Sequence, residues 1–217
     1  MKTGTAIRSQ GRPKDPEKRA AVMQAAGRLF LEQGFERATM DAIAAEAGVS
    51  KLTVYSHFEN KEALFSALVA HKCEACFGGV AFESLAELGP QAALVRVARG
   101  FMDLMLSPDV LALHRVLMAS AMQGGEINRS FYASGPAPTL ASFARLLAQF
   151  DAGGALAVPD PARAADHFFA LLRGDLHLRA LLNLEPAPPA RRVREHIGGC
   201  VEVFLRAYGP APRRRHG

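Results

Sequence analysis

The sequence of 217 residues contains no run of about 18 apolar residues, which a membrane-spanning helix would need. It begins with a polar segment rather than with the charged and then apolar order of a secretion signal. Its three cysteines are an odd number without the spacing of a disulfide framework. Together these absences predict a cytoplasmic protein, kept in a reducing compartment and without a membrane partner.

Two of the cysteines, Cys73 and Cys76, have the spacing Cys-x-x-Cys, but they lie within a predicted helix. No second pair is present to complete a tetrahedral zinc site. Buried, unreactive thiols are therefore the favoured interpretation, with a redox role for this pair as the alternative. We expect neither a metal nor a cofactor.

Catalytic motifs are also lacking. The sequence has no G-x-S-x-G, no H-E-x-x-H and no G-x-x-x-x-G-K-[ST], and its acidic residues and histidines are scattered. Alternating strand patterns are absent, whereas apolar residues recur at helical spacing between Gly and Pro residues. The sequence predicts an all-α protein that is not an enzyme.

The formal net charge is +5, and the first 20 residues hold six Lys or Arg against two Asp or Glu. A basic end suits a polyanionic partner, although a solvated tail would have the same composition. We predict a flexible basic arm over residues 1–14, carrying Arg12 and Lys14, a small domain over 15–59, a larger helical domain over 60–208 and a basic tail over 209–217.

Residues 39–58 have the pattern of two short helices joined by a tight turn. Thr39 and Ser50 are suited to cap the two helices, and Gly48 can adopt the left-handed conformation between them. The spacing places Ile43 and Val54 where the helices face each other. The pattern predicts a helix-turn-helix whose second helix continues through His57.

The outer side of that second helix would carry cationic, hydroxyl and imidazole groups, which can contact phosphates and base edges: Lys51, Thr53, Tyr55, Ser56 and His57. Lys61, at the start of the next helix, is placed to contact a phosphate. An ordinary helical hairpin with a solvated polar face is the alternative. Flanking signals predict a preceding helix between Asp15 and Gly34, and a following one from Asn60 to about Phe77.

Residues 15–70 resemble the N-terminal domain of TetR/AcrR-type transcriptional regulators. The resemblance is carried by Gly34-Phe35, Thr39, Ile43-Ala44, Ala47 to Lys51, Tyr55, His57-Phe58 and Lys61 to Phe65. Residues 113–184 are similar to the C-terminal domain of the AefR-like branch. The resemblance implies a dimer with a three-helix DNA-binding domain, a connecting fourth helix and a C-terminal domain for ligand binding and dimerisation.

By position, the resemblance implies phosphate contacts from Thr39, Tyr55 and Lys61. It places Lys51, Leu52, Thr53 and Ser56 toward the bases. Leu52 departs from the Gly, Ala or Pro that the family often has, and an exposed leucine could pack on a thymine methyl group.

The last two predicted helices, at about 160–184 and 190–208, carry wide apolar stripes with no later element to cover them. The candidate dimer residues are Val193, Ile197, Val201, Phe204 and Leu205, with burial inside the monomer as the alternative. Core packing is the simpler interpretation of any single one, but as a set the candidate ligand-binding residues combine thioethers and aromatic rings: Phe101, Met105, His114, Met118, Met122 and Phe168.

We therefore predict a homodimeric regulator that binds double-stranded operator DNA through a helix-turn-helix DNA-binding domain at 15–59, with the connecting helix and the ligand-binding and dimerisation domain at 60–208. The expected mode is a repressor released from a palindromic operator by a small apolar or aromatic effector. The alternative is a non-specific nucleic-acid or acidic-surface binding protein without ligand control.

Overall fold

The computed structural model describes residues 15–79, 82–121, 125–185 and 187–210. Over these residues the chain forms helices and no strand, which confirms the all-α prediction. The helices are α1 Pro16–Gln33, α2 Met40–Glu46, α3 Lys51–His57, α4 Lys61–Cys76, α5 Pro90–Met105, α6 Pro108–Ser120, α7 Glu126–Ser134, α8 Pro136–Ala152, α9 Pro161–Leu181 and α10 Ala190–Tyr208. A 3-10 helix, Phe82–Leu88, precedes α5. Arg12, Lys14 and Met122 lie outside the described residues.

The chain divides into two compact units, with the boundary between Leu64 and Phe65. The boundary lies inside α4, whereas the sequence predicts one between residues 59 and 60. Asn60 caps the start of α4, because its side-chain oxygen accepts a hydrogen bond from the Ala63 amide at 2.7 Å. The predicted helix start is therefore confirmed, although the compact unit extends one turn further.

The helix ends in the first unit follow from local side-chain chemistry. Asp15 accepts a hydrogen bond from the Glu17 amide at 3.1 Å and starts α1. Thr39 and Ser50 cap α2 and α3 by accepting hydrogen bonds from backbone amides, each at 3.1 Å. Gly48 has φ 64°, as the predicted turn requires. These caps confirm the helix-turn-helix pattern.

The core of the first unit is built from the apolar stripe of α1 and the inward sides of α2 and α3. Val22, Phe30, Ile43, Val54 and Phe58 are all buried. Because Val54 and Phe58 lie on the inner side of the α3 segment, the opposite side of α3 is left outside the core. This arrangement positions the candidate DNA-binding residues.

The second unit is organised around a row of aromatic rings that crosses several helices. Phe143 of α8 lies 5.9 Å from Phe82 and 5.0 Å from Phe168 of α9, measured between ring centroids. Phe168 lies 5.0 Å from Phe204 of α10, which lies 4.6 Å from Tyr208. Aromatic pairs at these spacings add stabilisation beyond the area that they bury. The row joins the 3-10 helix, α8, α9 and α10 into one core.

Helix α9 is broken at Gly174, where φ is 41° and ψ is −157°. The break frees carbonyl groups that a continuous helix would use. The carbonyl of Leu172 is 2.7 Å from His196 Nε2, and that of Leu171 accepts a hydrogen bond from the Cys200 thiol at 3.4 Å. α10 thus satisfies the backbone groups that the break releases. The sequence predicts one continuous helix here, and that prediction is wrong at Gly174.

Three of the candidate dimer residues are buried within the single chain. Ile197, Val201 and Phe204 belong to the core that α10 forms with α5 and α9, and Phe204 is fully buried. The reason given for assigning them to a dimer interface is therefore wrong, since their stripe is covered within the chain. Val193 and Leu205 are partly buried against the same core. Exposed large apolar side chains on α9 and α10 belong instead to Leu171, Leu178 and Val203, and Leu182, which directly follows α9, is 57% exposed.

Cys73 and Cys76 have the properties of unreactive thiols. Burial raises the pKa of the Cys73 thiol, and it raises that of Cys76 to about 12. Both side chains are therefore protonated at neutral pH, and a thiolate is the form that attacks disulfides and binds metals. In the described part of the chain, no three His, Cys, Asp or Glu side chains are grouped to hold a metal ion.

None of the described helices is long and apolar enough to cross a membrane.

Candidate nucleic-acid interface

The outer face of α3 brings together four of the predicted DNA-contacting residues. Lys51, Leu52, Tyr55 and Ser56 are all exposed, and their spacing of one, four and five positions places them on the same side of the helix. Leu52 is 80% exposed and Tyr55 44% exposed. A helix with a cation, an apolar side chain, a phenol and a hydroxyl on one exposed face is suited to the major groove.

Lys51 is held by an acidic residue of the preceding helix. Its Nζ lies 2.8 Å from Asp41 Oδ1 and 3.0 Å from Asp41 Oδ2, and 6.0 Å from the centroid of the Tyr55 ring. The hydrogen bond to Asp41 raises the pKa of Lys51, with the charge of Asp41 adding to the effect. Both side chains are well exposed, so the ion pair is accessible to competing anions. The sequence interpretation missed Asp41, because nothing in the spacing shows which carboxylate the turn brings close to Lys51.

The hydroxyl groups of the motif serve first as internal hydrogen-bond partners. The Thr39 hydroxyl caps α2, and the Ser50 and Thr53 hydroxyls lie 2.8 Å apart. Ser56 donates its hydroxyl hydrogen to the Thr53 carbonyl at 2.7 Å. Thr39 and Ser56 are exposed, whereas Thr53 is half-buried. Thr39 therefore keeps its hydroxyl hydrogen for a phosphate, and Ser56 keeps its oxygen as an acceptor.

Lys61 is engaged with the turn that follows α1. Its Nζ donates hydrogen bonds to the carbonyls of Phe35 at 2.7 Å and Glu36 at 3.2 Å, and it lies 4.4 Å from the centroid of the Phe35 ring. An ammonium group has three N–H donors, so one remains for a phosphate. Lys61 thus stabilises the α1–α2 turn, and its phosphate contact stays a prediction.

His57 ends α3 and is set back from the four exposed residues. Its imidazole is half-buried, and its ring centroid lies 6.3 Å from that of Phe58.

The sequence interpretation did not select two arginines of the first unit, Arg28 and Arg37. Arg28 donates two hydrogen bonds to Glu46 Oε1, at 3.1 and 2.8 Å, and joins α1 to α2. Arg37 is exposed and lies two positions before Thr39, which is a signal for a further phosphate contact.

The candidate ligand-binding residues of the second unit do not form a single group. Phe101, Met105 and Phe168 are buried in the core, whereas Met118 is 58% exposed. His114 is half-buried, and its ring contacts two residues that the sequence did not single out, Phe131 and His177. The structure therefore separates core residues from one small cluster around His114.

Family comparisons agree with this geometry. Residues 22–68 match the family described as bacterial regulatory proteins, tetR family, and residues 92–210 match the C-terminal domain of AefR-like transcriptional repressors. The two matched segments leave residues 1–21, 69–91 and 211–217 outside them. Members of the family are transcriptional regulators and not enzymes, which confirms the expectation of a non-enzyme.

Individual relatives extend the comparison. A solved structure named flavonoid-responsive regulator FrrA is similar over 91% of this chain and 100% of its own, at 34% identity and a TM-score of 0.72. The transcriptional activator FasR of Mycolicibacterium smegmatis is 38% identical over 31% of each chain. The repressor BepR of Brucella suis biovar 1 is 40% identical over 24% of this chain and 25% of its own. The chain thus aligns with less than a third of the length of these two curated relatives. By both family matches, the chain belongs to the TetR family of DNA-binding transcriptional regulators.

Proposed function

We propose that the protein is a homodimeric repressor that binds a palindromic operator through α3 and leaves it when a small apolar or aromatic effector binds the second unit. The observation that carries the DNA part is the exposed face of α3, formed by Lys51, Leu52, Tyr55 and Ser56. In helix-turn-helix proteins the second helix of the motif lies in the major groove, and α3 is that helix here.

Binding is expected to use the groups of this face in different ways. Lys51 would leave the Asp41 carboxylate and bind a phosphate or a guanine edge instead, because the phosphate offers anionic oxygens and guanine offers acceptor atoms. Leu52 would pack on a thymine methyl group, and the Ser56 oxygen would accept a hydrogen bond from a base. The Tyr55 and Thr39 hydroxyls, the remaining donor of Lys61 and the arm with Arg12 and Lys14 would contact phosphates.

A dimer is proposed because two half-sites about 34–36 Å apart are needed for tight binding by helix-turn-helix proteins. The exposed Leu178 of α9, Leu182 directly after α9 and Val203 of α10 supply apolar side chains for a symmetric contact. This surface replaces the buried residues of the sequence-based assignment.

The effector class is supported by a relative and by an aromatic residue of the second unit outside its core. FrrA is named for its response to flavonoids, which contain aromatic rings. In the second unit the half-buried Phe131 ring lies beside His114. If the effector prefers the conformer that does not bind DNA, each tenfold preference weakens operator binding by about 1.4 kcal/mol.

The experiment begins with selection of operator sequences from a random library, followed by affinity measurements on the selected and a scrambled sequence. A regulator is expected to prefer the selected site by about 10³-fold or more at physiological salt. Ser56→Ala should change which sequence is selected, whereas Tyr55→Phe should weaken all sequences alike and act as its matched control. Equal affinity for both sequences would favour the non-specific binding protein.

The mode of regulation needs a second measurement. A promoter fusion in cells, with and without the protein, should show lower transcription with it if the protein is a repressor. Higher transcription would indicate an activator, the mode named for the relative FasR. Addition of an aromatic effector should restore transcription and lower operator affinity together. By linkage, operator DNA should lower affinity for the effector by the same factor.

A further inference from the structure

One buried histidine of the second unit has an unsatisfied polar atom. His177, on α9, is only 8% exposed. Its Nε2 is buried and has no hydrogen-bond partner among the described residues. A buried polar atom without a partner costs about 1–3 kcal/mol, and such atoms call for an explanation. His177 also follows the break at Gly174 by three positions.

His177 lies beside a second imidazole and an aromatic ring from other helices. The ring centroid of His114, on α6, is 5.7 Å from that of His177 and 5.6 Å from that of Phe131 on α7. Both ring pairs are nearly perpendicular. Three helices therefore meet at two imidazoles and a phenyl ring, a combination of hydrogen-bonding and apolar groups typical of small-molecule sites.

Both imidazoles are neutral at physiological pH. Burial lowers the pKa of His114 to about 4, and His177 and Arg173 contribute to the shift. Burial also lowers the pKa of His177, with Arg173 adding to the effect. Arg115, the next residue after His114, donates hydrogen bonds to the Leu181 and Ala180 carbonyls. Each neutral imidazole offers one N–H donor and one acceptor.

These properties favour one chemical class of ligand. A neutral hydroxyl group can donate to Nε2 in one tautomer and accept from it in the other, and it carries no charge into a buried place. A carboxylate would have to lose its hydration here, which is costly, and among the described residues only the charge of Arg173 acts in its favour. An aromatic ring attached to the hydroxyl could pack against Phe131.

We propose that His177, assisted by His114, is the polar anchor of the effector site and hydrogen-bonds the phenolic hydroxyl of an aromatic effector. This inference rests on the proposed control by an effector, and it names the residues and the ligand group involved. It adds His177 and Phe131 to the site and removes the core residues Phe101, Met105 and Phe168 from direct ligand contact.

The test measures binding of 7-hydroxyflavone and flavone to the full chain by calorimetry. The two probes differ by a single hydroxyl group, so their affinity ratio reports its hydrogen bond. Wild type is expected to bind flavone about tenfold more weakly, as one hydrogen bond of about 1.4 kcal/mol predicts. His177→Phe should bring the two affinities to the same value.

Two further variants separate anchoring from folding. His177→Phe removes an imidazole whose Nε2 has no hydrogen-bond partner among the described residues, so the unfolding temperature should not fall sharply. His177→Gln keeps a donor and an acceptor and should restore part of the preference for 7-hydroxyflavone. His71→Phe, at an exposed histidine of α4, is the matched control and should leave the preference unchanged. In wild type labelled with ¹⁵N-histidine, 7-hydroxyflavone should shift the His177 nitrogen signals.

Three results would overturn the anchor: no binding of either probe to wild type, equal binding of both, or an undiminished hydroxyl preference in His177→Phe. Operator titration with the same probes separates this inference from the proposed function. Binding through His177 without loss of operator affinity would support the anchor and refute control by that effector. Operator release that persists in His177→Phe with the same hydroxyl preference would refute the anchor and support control by that effector.

Discussion

Acidification is expected to destabilise the protein through His114, whose pKa is about 4 in the folded chain against an ordinary value of 6.5. The folded state holds this imidazole neutral, while the unfolded chain protonates it as the pH falls below about 6.5. Unfolding therefore takes up a proton between these two values, and stability must rise with pH across that window. The contribution is complete above pH 6.5 and is lost as pH falls toward 4.

The size of the effect follows from the two pKa values. Between pH 7.5 and 5.0, the proton linkage of His114 alone should lower the free energy of unfolding by about 2 kcal/mol. The limit, reached below pH 4, is about 3 kcal/mol. The pKa of His177 is lowered too, so it acts in the same direction.

Urea unfolding followed by circular dichroism at pH 7.5 and 5.0 measures this loss, provided that the protein concentration is constant. Phenylalanine does not titrate, so His114→Phe should lose less stability on acidification than wild type, by about 2 kcal/mol. Any packing cost of the substitution is present at both pH values and cancels in the difference. His71→Phe, at an exposed histidine, should behave as wild type.

An equal loss on acidification in wild type and His114→Phe would refute the assignment. So would an NMR titration in which the His114 ring protons change with a midpoint near 6.5. Either result would mean that the His114 imidazole is hydrated rather than buried against α7 and α9.

The remaining predictions concern individual contacts. Asp41→Asn frees Lys51 from its ion pair, so anisotropy titrations should show severalfold tighter binding to operator and scrambled DNA alike, and unchanged affinities would contradict a competing role for Asp41. Lys61→Ala removes two hydrogen bonds to the α1–α2 turn, so it should lower the unfolding temperature as well as flatten the salt dependence of binding; a change in binding alone would show that the turn does not need it. Gly174→Ala should destabilise the chain by about 1–2 kcal/mol, because φ is positive there and the added carbon would meet the His196 ring, and a stability equal to wild type would argue for a continuous helix. Phe204→Asp should unfold the second unit rather than give folded monomers, since Phe204 is fully buried, and a folded monomer by light scattering would reinstate the sequence-based dimer assignment.

Local signals in the sequence were sufficient for most of the helix boundaries. Capping side chains and glycines act on backbone groups a few positions away, so Thr39, Gly48 and Ser50 define the helix-turn-helix without any distant contact. The same holds for Pro161 and the other prolines that begin helices, because proline at the first helical position loses no intrahelical hydrogen bond. The spacing within α3 also correctly placed Val54 inside, whereas the family resemblance placed Leu52 outside.

The covering of each apolar stripe was decided only by the tertiary structure. Helical periodicity shows that α10 has an apolar face, but it cannot tell whether α5 and α9 or a second subunit covers it. The break at Gly174 could not be predicted from the sequence either. The intrahelical hydrogen bonds that it loses are replaced by hydrogen bonds to side chains of α10, more than 20 positions away.

The sequence likewise could not predict which polar side chains of different elements contact each other. The ion pair of Lys51 with Asp41, the carbonyl contacts of Lys61 and the meeting of His114 with His177 each join different elements. Charge and hydrogen-bonding capacity can be read from residue types, whereas the choice of partner depends on distances of a few ångströms that packing sets. The sequence by itself thus determined the helices, the helix-turn-helix and the family resemblance, and the tertiary structure decided which side chains are free to bind.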